Sequence, residues 1–464
     1  MAAPTLERAD IQGDILRAYG NAYDRTSYLF VRVAEAAAGR AWLGGLVDRV
    51  TTAEPWTGAK PDTALNVAVT YAGLDALGVP KDVCDTFSEE FCDGMAKRAE
   101  LLGDTGASAP SDWDDNLGTG AAHVLLTINA KTAAHLEAEL DSLRDGMPDA
   151  VSVVHEQHAQ LLPNAREHFG FGDGFAQPAI EGDSDERAPG GGVPEGGGRW
   201  RALAPGEFIL GYPDEDTRVD PEQRILPNAP ADPLGRNGTY MIYRKLHQDV
   251  ALFRRVLRDA AQLYHGGDEE KLRAKVVGRW SNGKPLVKSP DAPDPAFDAA
   301  APGANDFRYL PADVSGYACP LGAHIRRSNP RDALGWEKLD TSGLLSFRHR
   351  MIRRGMPYGP PLPEGVTEDD RQDRGLVFVC FNASISRQFE SVQLQWLNDG
   401  NGFRLGHDKD FLLGDSGTTG KMTVQGEPPF FLSPQRSFVT TKGGEYLFVP
   451  GIRALRALAG GVGG

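Results

Sequence analysis

Three short clusters carry residue types and spacings from which chemistry can be built. The first is Cys319-Pro-Leu-Gly-Ala-His-Ile-Arg-Arg-Ser-Asn-Pro-Arg331. Small residues lead up to His324, and a strongly cationic stretch follows it. Small neighbours let a flat ligand approach the backbone, and Arg326, Arg327 and Arg331 are placed to pair with carboxylates on that ligand, because guanidinium binds carboxylates bidentately. A loop histidine beside a basic surface patch has the same local sequence. The second cluster is Phe169-Gly-Phe-Gly-Asp-Gly-Phe-Ala-Gln-Pro178, with three glycines around the single carboxylate of Asp173. Glycine permits positive φ and close approach, so Asp173 can be presented at a sharp bend toward a planar ligand. An exposed Asp-Gly turn reads the same way. The third is Met351-Ile-Arg-Arg-Gly-Met-Pro-Tyr-Gly-Pro360, paired arginines that alone read as a basic turn. His155 and His158 suggest a metal pair, but on a strand positions i and i+3 face opposite sides, and no third ligand completes a site.

Alternating strands and helices surround these clusters. Leu29, Val31 and Val33 alternate with Tyr28, Phe30 and Arg32, the period of a half-buried strand. Trp42, Leu46, Val47 and Val50 recur at helical spacing. Strands follow at Leu65–Val69 and Val124–Ile128, a helix through Leu136, Leu140 and Leu143, and a fourth strand from Val151. Residues 80–118 interrupt the rhythm. The order β-α-β, insertion, β-α-β predicts a ferredoxin-like unit, an antiparallel sheet with helices on one face. Ala188–Gly198 is Gly/Pro-rich and is expected to be a loop or linker with nothing to bury. The second half repeats the theme: a strand at Thr239–Arg244, a helix through Val250, Phe253, Val256 and Leu257, and an apolar strand at Leu376–Phe381. A helix through Ile385, Phe389, Val392 and Trp396 and a strand at Glu445–Val449 complete it. The chain therefore reads as α+β, two ferredoxin-like units over 1–200 and 201–464. The chemistry is expected in the insertions, because long irregular segments are usually functional.

Composition narrows the function. The 464 residues carry 49 Lys+Arg against 64 Asp+Glu, a net charge of −15. That balance argues against nucleic acid and against an anionic membrane surface as partner. Four cysteines make no disulfide framework. The N-terminus has no apolar core of signal-peptide length, and no run approaches the ~18 apolar residues of a membrane span. A cytoplasmic protein is expected.

Together the three clusters resemble the dye-decolorizing peroxidases, a family of haem enzymes. Gly170-Phe-Gly-Asp-Gly174 matches the family's Gly-x-x-Asp-Gly signature, Ala323-His-Ile-Arg-Arg327 its proximal-ligand segment, and Arg353-Arg-Gly-Met-Pro-Tyr-Gly359 its distal arginine segment. Ile11-Gln-Gly-Asp-Ile-Leu16 and Gly206-Glu-Phe-Ile-Leu-Gly-Tyr-Pro213 look like the larger cytoplasmic members, so the resemblance spans about 8 to 450. It implies two ferredoxin-like units, with haem b, one per chain, in the second near the domain interface. It implies His324 as ligand to haem iron, with a carboxylate on its other ring nitrogen; Glu390 is the candidate partner. It implies Asp173 as distal acid-base and Arg353, not Arg354, as distal cation. Leu376 and Phe378 would close the distal pocket, and Arg326 would assist cofactor binding. The implied reaction is a haem-dependent reduction of hydrogen peroxide through an oxoferryl state, followed by one-electron oxidation of dyes, phenols or similar donors. Surface Tyr or Trp would relay electrons, with Trp396 and Tyr358 as candidates. A Mn(II) donor site is left open, since no carboxylate cluster is specific enough to name. The alternative reading is a non-catalytic haem carrier or sensor, which the distal Asp and Arg oppose.

Overall fold

The computed structural model describes residues 5–19, 22–184, 187–195, 199–216, 229–301, 303–334, 344–414, 421–433 and 435–462. In the first half, β1 (Arg25–Val33), α1 (Ala36–Leu46), β2 (Thr63–Val69), β3 (Val124–Ala130), α2 (Ala133–Asp145) and β4 (Val151–Gln160) follow in sequence. The strands pair antiparallel in the order β4-β1-β3-β2. In the second half come β5 (Thr239–Gln248), α3 (Val250–Ala261), α4 (Glu269–Val277), α5 (His324–Ser328), β6 (Ile352–Arg353), β7 (Met356–Tyr358), β8 (Gly375–Asn382), β9 (Val439–Val449) and α6 (Ile452–Gly460). Their order is β9-β5-β8-β6, with β7 also on β8. Fourth strand, first, third, second: the halves share one topology. They join into one sheet where Phe448 of β9 pairs with Val69 of β2, the single registered pair between them.

Side-chain alternation explains why the sheet has two layers. Leu29, Val31, Leu65, Val67 and Leu126 face Trp42, Leu46, Leu136 and Leu140 of the covering helices. Tyr28, Phe30 and Leu125 face inward, where they meet Tyr243, Val379, Phe381 and Leu447 of the other half. The sheet curls until the Phe30 and Tyr243 rings lie edge to face at 4.9 Å. Each fully buried Phe, Leu or Val in this seam contributes about 1.5–3 kcal/mol. Three helices, α2, α3 and α4, start on side-chain caps: Thr132 accepts the His135 N–H, Asp249 that of Leu252 and Asp268 that of Lys271. Among the described residues no helix is long and apolar enough to cross a membrane.

Two segments depart from expectation. Residues 386–397 wind as π turns rather than a regular α-helix; the Glu390 N–H reaches the Ile385 carbonyl, five residues back. Such turns are rare and collect at functional sites. The Gly/Pro-rich stretch is not an exposed linker. Ala188, Gly190, Gly191 and Val193 are buried, and Val193–Pro194 pairs with Trp200–Arg201. A Cβ on Gly190 would lie 1.9 Å from the Asn305 carbonyl oxygen, so its glycine serves close packing as well as its φ of +77°. Residues 196–198 of that stretch lie outside the described residues.

Candidate active site

The two halves enclose a cavity of about 590 Å³. Its walls bring together Asp173, His324, Arg331, Arg353, Leu376 and Phe378, which are scattered over more than 200 residues of sequence. β8 accounts for two of them: Val377 and Val379 point into the core, so Leu376 and Phe378 face the cavity. The insertion of the first half supplies a further wall, Leu102–Ser108. It is fastened there by a buried pair in which Arg244 donates to both carboxylate oxygens of Asp104, at 2.9 and 2.5 Å.

His324 opens the short helix α5, and its Nδ1 lies 2.9 Å from Oδ2 of Asp410. Asp410 is fully buried. Its other oxygen accepts the backbone N–H groups of Leu412 and Leu413 at 2.9 and 2.8 Å. Burial pushes the Asp410 carboxyl up, but His324, Arg327 and these N–H groups outweigh it and hold the group below its ordinary value. Burial disfavours a charged imidazole, yet the Asp410 carboxylate raises the His324 pKa on balance. With Nδ1 committed to Asp410, Nε2 is the nitrogen left for a ligand in the cavity.

Also lining the cavity, Arg353 Nη1 donates to Asp173 Oδ1 at 2.8 Å. The Asp173 side chain is 47% exposed, and that exposure is to the cavity it lines. Burial pushes its carboxyl up, but Arg353, the Gly174 N–H and His324 together hold it below the usual carboxylate value. It is therefore ionised at neutral pH. Asp173 raises the Arg353 pKa in return. The loop carrying Asp173 is shaped by Glu167, whose carboxylate accepts the N–H groups of Phe169 and Phe171, both at 2.9 Å. Gly170 and Gly174 have φ of +94° and +87°, the left-handed conformation the motif's glycines permit.

Several sequence expectations need correction. Glu390 does not touch His324. Its carboxylate pairs with Arg98 at 2.5 and 2.7 Å and accepts the Tyr446 hydroxyl at 2.9 Å. The partner of His324 is Asp410, twenty residues further on, in Asp408-Lys-Asp-Phe-Leu-Leu413. The signal was an acid immediately before an apolar triplet in a polar loop, a carboxylate carried inward by its neighbours. Arg326 does not line the cavity either; it is buried against Asp313, at 2.8 Å, and the Cys319 carbonyl. Arg327 is spent on the carbonyls of Trp396, Asp399 and Asp408. Of the three arginines after His324, only Arg331 reaches the cavity. Trp396 and Tyr358 are buried rather than at the surface, although the Trp396 ring packs edge-on to His349, a cavity residue, at 4.8 Å.

Comparison with known proteins shows the family. Residues 10–163 match the family described as the DyP dimeric alpha+beta barrel domain, and residues 215–407 match the Dyp-type peroxidase C-terminal family. A dye-decolorizing peroxidase of Mycena epipterygia is 30% identical over 98% of this chain and 87% of its own length. The multifunctional dye peroxidase of an Amycolatopsis strain is 32% identical over 97% and 95%. The chain belongs to the dye-decolorizing peroxidase family. A solved dye-decolorizing peroxidase, the fungal DyP-type enzyme of Auricularia auricula-judae, superposes with a TM-score of 0.82 at 27% identity, over 98% of this chain and all of that one. The dye-decolorizing peroxidase fold and haem-peroxidase activity follow for this chain, and Asp410 lies just beyond the matched C-terminal region.

Proposed function

We propose that the cavity holds haem b, one per chain, between His324–Asp410 and Asp173–Arg353. The convergence of these two pairs on one cavity carries the reading. The lining fits such a group. Nη2 of Arg331 and of Arg350 are buried without partners, and both side chains line the cavity. Burial pushes the Arg331 pKa down to about 10 and that of Arg350 to about 9. A buried unsatisfied donor costs about 1–3 kcal/mol, more when charged, so a dianionic ligand with two carboxylates would relieve both. His324 Nε2 would ligate the iron, with Asp410 fixing the ring tautomer and raising its basicity.

The haem, when bound, supplies the two-electron redox chemistry. The protein's residues handle protons and charge. Asp173 Oδ accepts a proton from one oxygen of hydrogen peroxide and returns it to the other, which leaves as water. Arg353 stabilises the hydroperoxide anion and the charge that grows as O–O breaks. Leu376 and Phe378 keep that side of the cavity apolar. Donors are dyes and phenols: one solved relative is a complex with 2,6-dimethoxyphenol. Trp396, its ring edge-on to His349, is the proposed route for electrons from donors too large to enter. Among the described residues no three His, Cys, Asp or Glu side chains are grouped to hold a metal ion, and Mn(II) is not included. Two units divided near residue 200, and a reducing compartment such as the cytoplasm for four free thiols, complete the proposal.

The test is the absorption spectrum of the purified protein before and after one equivalent of peroxide, at stepped pH. A carrier or sensor would show haem without a rapid peroxide-dependent change. Asp173 must be ionised to act, and its lowered pKa keeps it so below the reference value of about 3.9. The reaction is expected to run undiminished from neutral pH to about pH 5, and to fail only as pH drops through that lowered pKa. Collapse near pH 6, about the reference value of histidine, would identify a histidine base instead. On the other side of the cavity, Asp410→Asn removes the charge behind His324. A roughly 10- to 100-fold loss of haem affinity or activity is expected, as for other partners of metal-bound histidine. Glu390→Gln should leave both unchanged, because Glu390 serves Arg98 and Tyr446.

A further inference from the structure

β6 is an edge strand of two residues, and its exposed edge carries the backbone of Arg353. Cys380 of β8 lies opposite Arg353, and the next N–H, that of Arg354, donates to the Val379 carbonyl at 2.8 Å. Successive residues of an antiparallel strand direct their backbone groups to opposite sides. The N–H and C=O of Arg353 therefore point away from β8. A neighbouring strand would satisfy them; here the carboxamide of Gln177 does. Its Oε1 accepts the Arg353 N–H at 3.0 Å, and its Nε2 donates to the Arg353 carbonyl at 3.0 Å. A side-chain amide holds a carbonyl acceptor and N–H donors in one plane, as a peptide group holds its C=O and N–H.

Gln177 stands four residues after Asp173, on the same loop. Its Nε2 also lies 3.3 Å from the Gly174 carbonyl. The contacts close a ring: Asp173 carboxylate to Arg353 guanidinium, Arg353 backbone to Gln177 amide, and the chain from 177 back to 173. Among the described residues, the Gln177 amide and the Arg353 side chain are the hydrogen-bond links between residues 173–177 and this strand edge. We propose that Gln177 is a positioning residue that sets the register between the loop of Asp173 and the strand of Arg353. This rests on the reading of those two as the distal pair. It acts through Arg353 and does not meet peroxide. Displacement of a reacting group by ~1 Å can cost on the order of 10²-fold in rate.

The experiment is stopped-flow mixing of holoenzyme with hydrogen peroxide, following the Soret band, for Gln177→Leu, Arg353→Leu and the double variant. Gln177→Leu is expected to slow the peroxide step by roughly 10- to 100-fold with haem content unchanged. In the Arg353→Leu background the same change should slow it less than about twofold, because groups acting through one another are not additive. Gln177→Glu has the same size and keeps the acceptor for the Arg353 N–H. It covers failure of the Leu variant to fold and should show a smaller slowing with the same dependence on Arg353. A wild-type rate in the Gln177 variants while Arg353→Leu is slow overturns this proposal alone. Equal slowing in both backgrounds also overturns it, since a purely structural loss would act with or without Arg353. A wild-type rate in Arg353→Leu removes the distal pair itself.

Discussion

Arg353→Leu holoenzyme is expected to react with hydrogen peroxide about 10²–10³-fold more slowly than the native protein, the usual cost of removing one preorganised electrostatic donor. Asp173→Asn keeps the shape of the distal carboxylate and removes its proton affinity. Its expected cost is on the order of 10²–10⁴-fold, the range of a lost acid-base. The ranges overlap, and the structure favours Arg353 as the larger. Water can reach an open cavity and relay a proton, but it cannot replace a cation that lies 2.8 Å from the reacting carboxylate. Loss of Arg353 also frees the Asp173 pKa to rise, since Arg353 is the foremost influence holding it down against burial. The Arg353 variant should therefore lose its acid-pH activity sooner than the native protein. Both variants should retain haem, because neither side chain is the proposed iron ligand. Single-turnover rates from the Soret band check the ranking, and a native rate in either variant removes that residue from the mechanism.

His324→Ala is expected to lose haem during purification or to hold it only weakly, with added imidazole restoring part of it. The replacement also orphans Asp410, whose carboxylate lies fully buried beside His324. Leaving a buried carboxylate short of a hydrogen-bond partner costs about 1–3 kcal/mol or more, so thermal stability should fall as well. The double variant His324→Ala with Asp410→Ala would recover part of that stability without recovering haem. A His324→Ala protein with native haem content and an unchanged ferrous spectrum would exclude His324 as the ligand.

Much of this was legible in the sequence because it is local. Leu29, Val31 and Val33, or Leu136, Leu140 and Leu143, announce their elements by period alone, since each buries one face against a neighbour. Asp173, His324 and Arg353 were singled out by the likeness of their motifs to the dye-decolorizing peroxidases, since each motif alone also reads as a turn or a basic patch. What was not legible depends on pairings across the chain. Glu390 and Asp410 are both buried acids within a hundred residues of His324, and only packing decides that one meets Arg98 and the other the imidazole. Arg326, Arg327 and Arg331 look equivalent in sequence, yet α5 turns the first two into protein and leaves the third facing the cavity. The buried glycines around Gly190 and the cavity wall at Leu102–Ser108 were hidden for the same reason. Their role is set by Asn305 and by Arg244, more than a hundred residues away.

The seam between the halves has a consequence for how the protein is made. All four strands of the first unit have been translated by residue 160, and domains generally fold as units, N-terminal first, during synthesis. β9, which joins β2 to β5, arrives only at residues 439–449, and Val439, Thr440 and Thr441 are part of the cavity wall. Asp410, the brace for His324, is also late. A ribosome-bound chain lacking these residues has its Asp173 loop and its His324 but lacks part of the cavity wall and the carboxylate that holds His324. The cavity wall is therefore complete only once β9, the last strand of the sheet to be made, has joined β2 to β5.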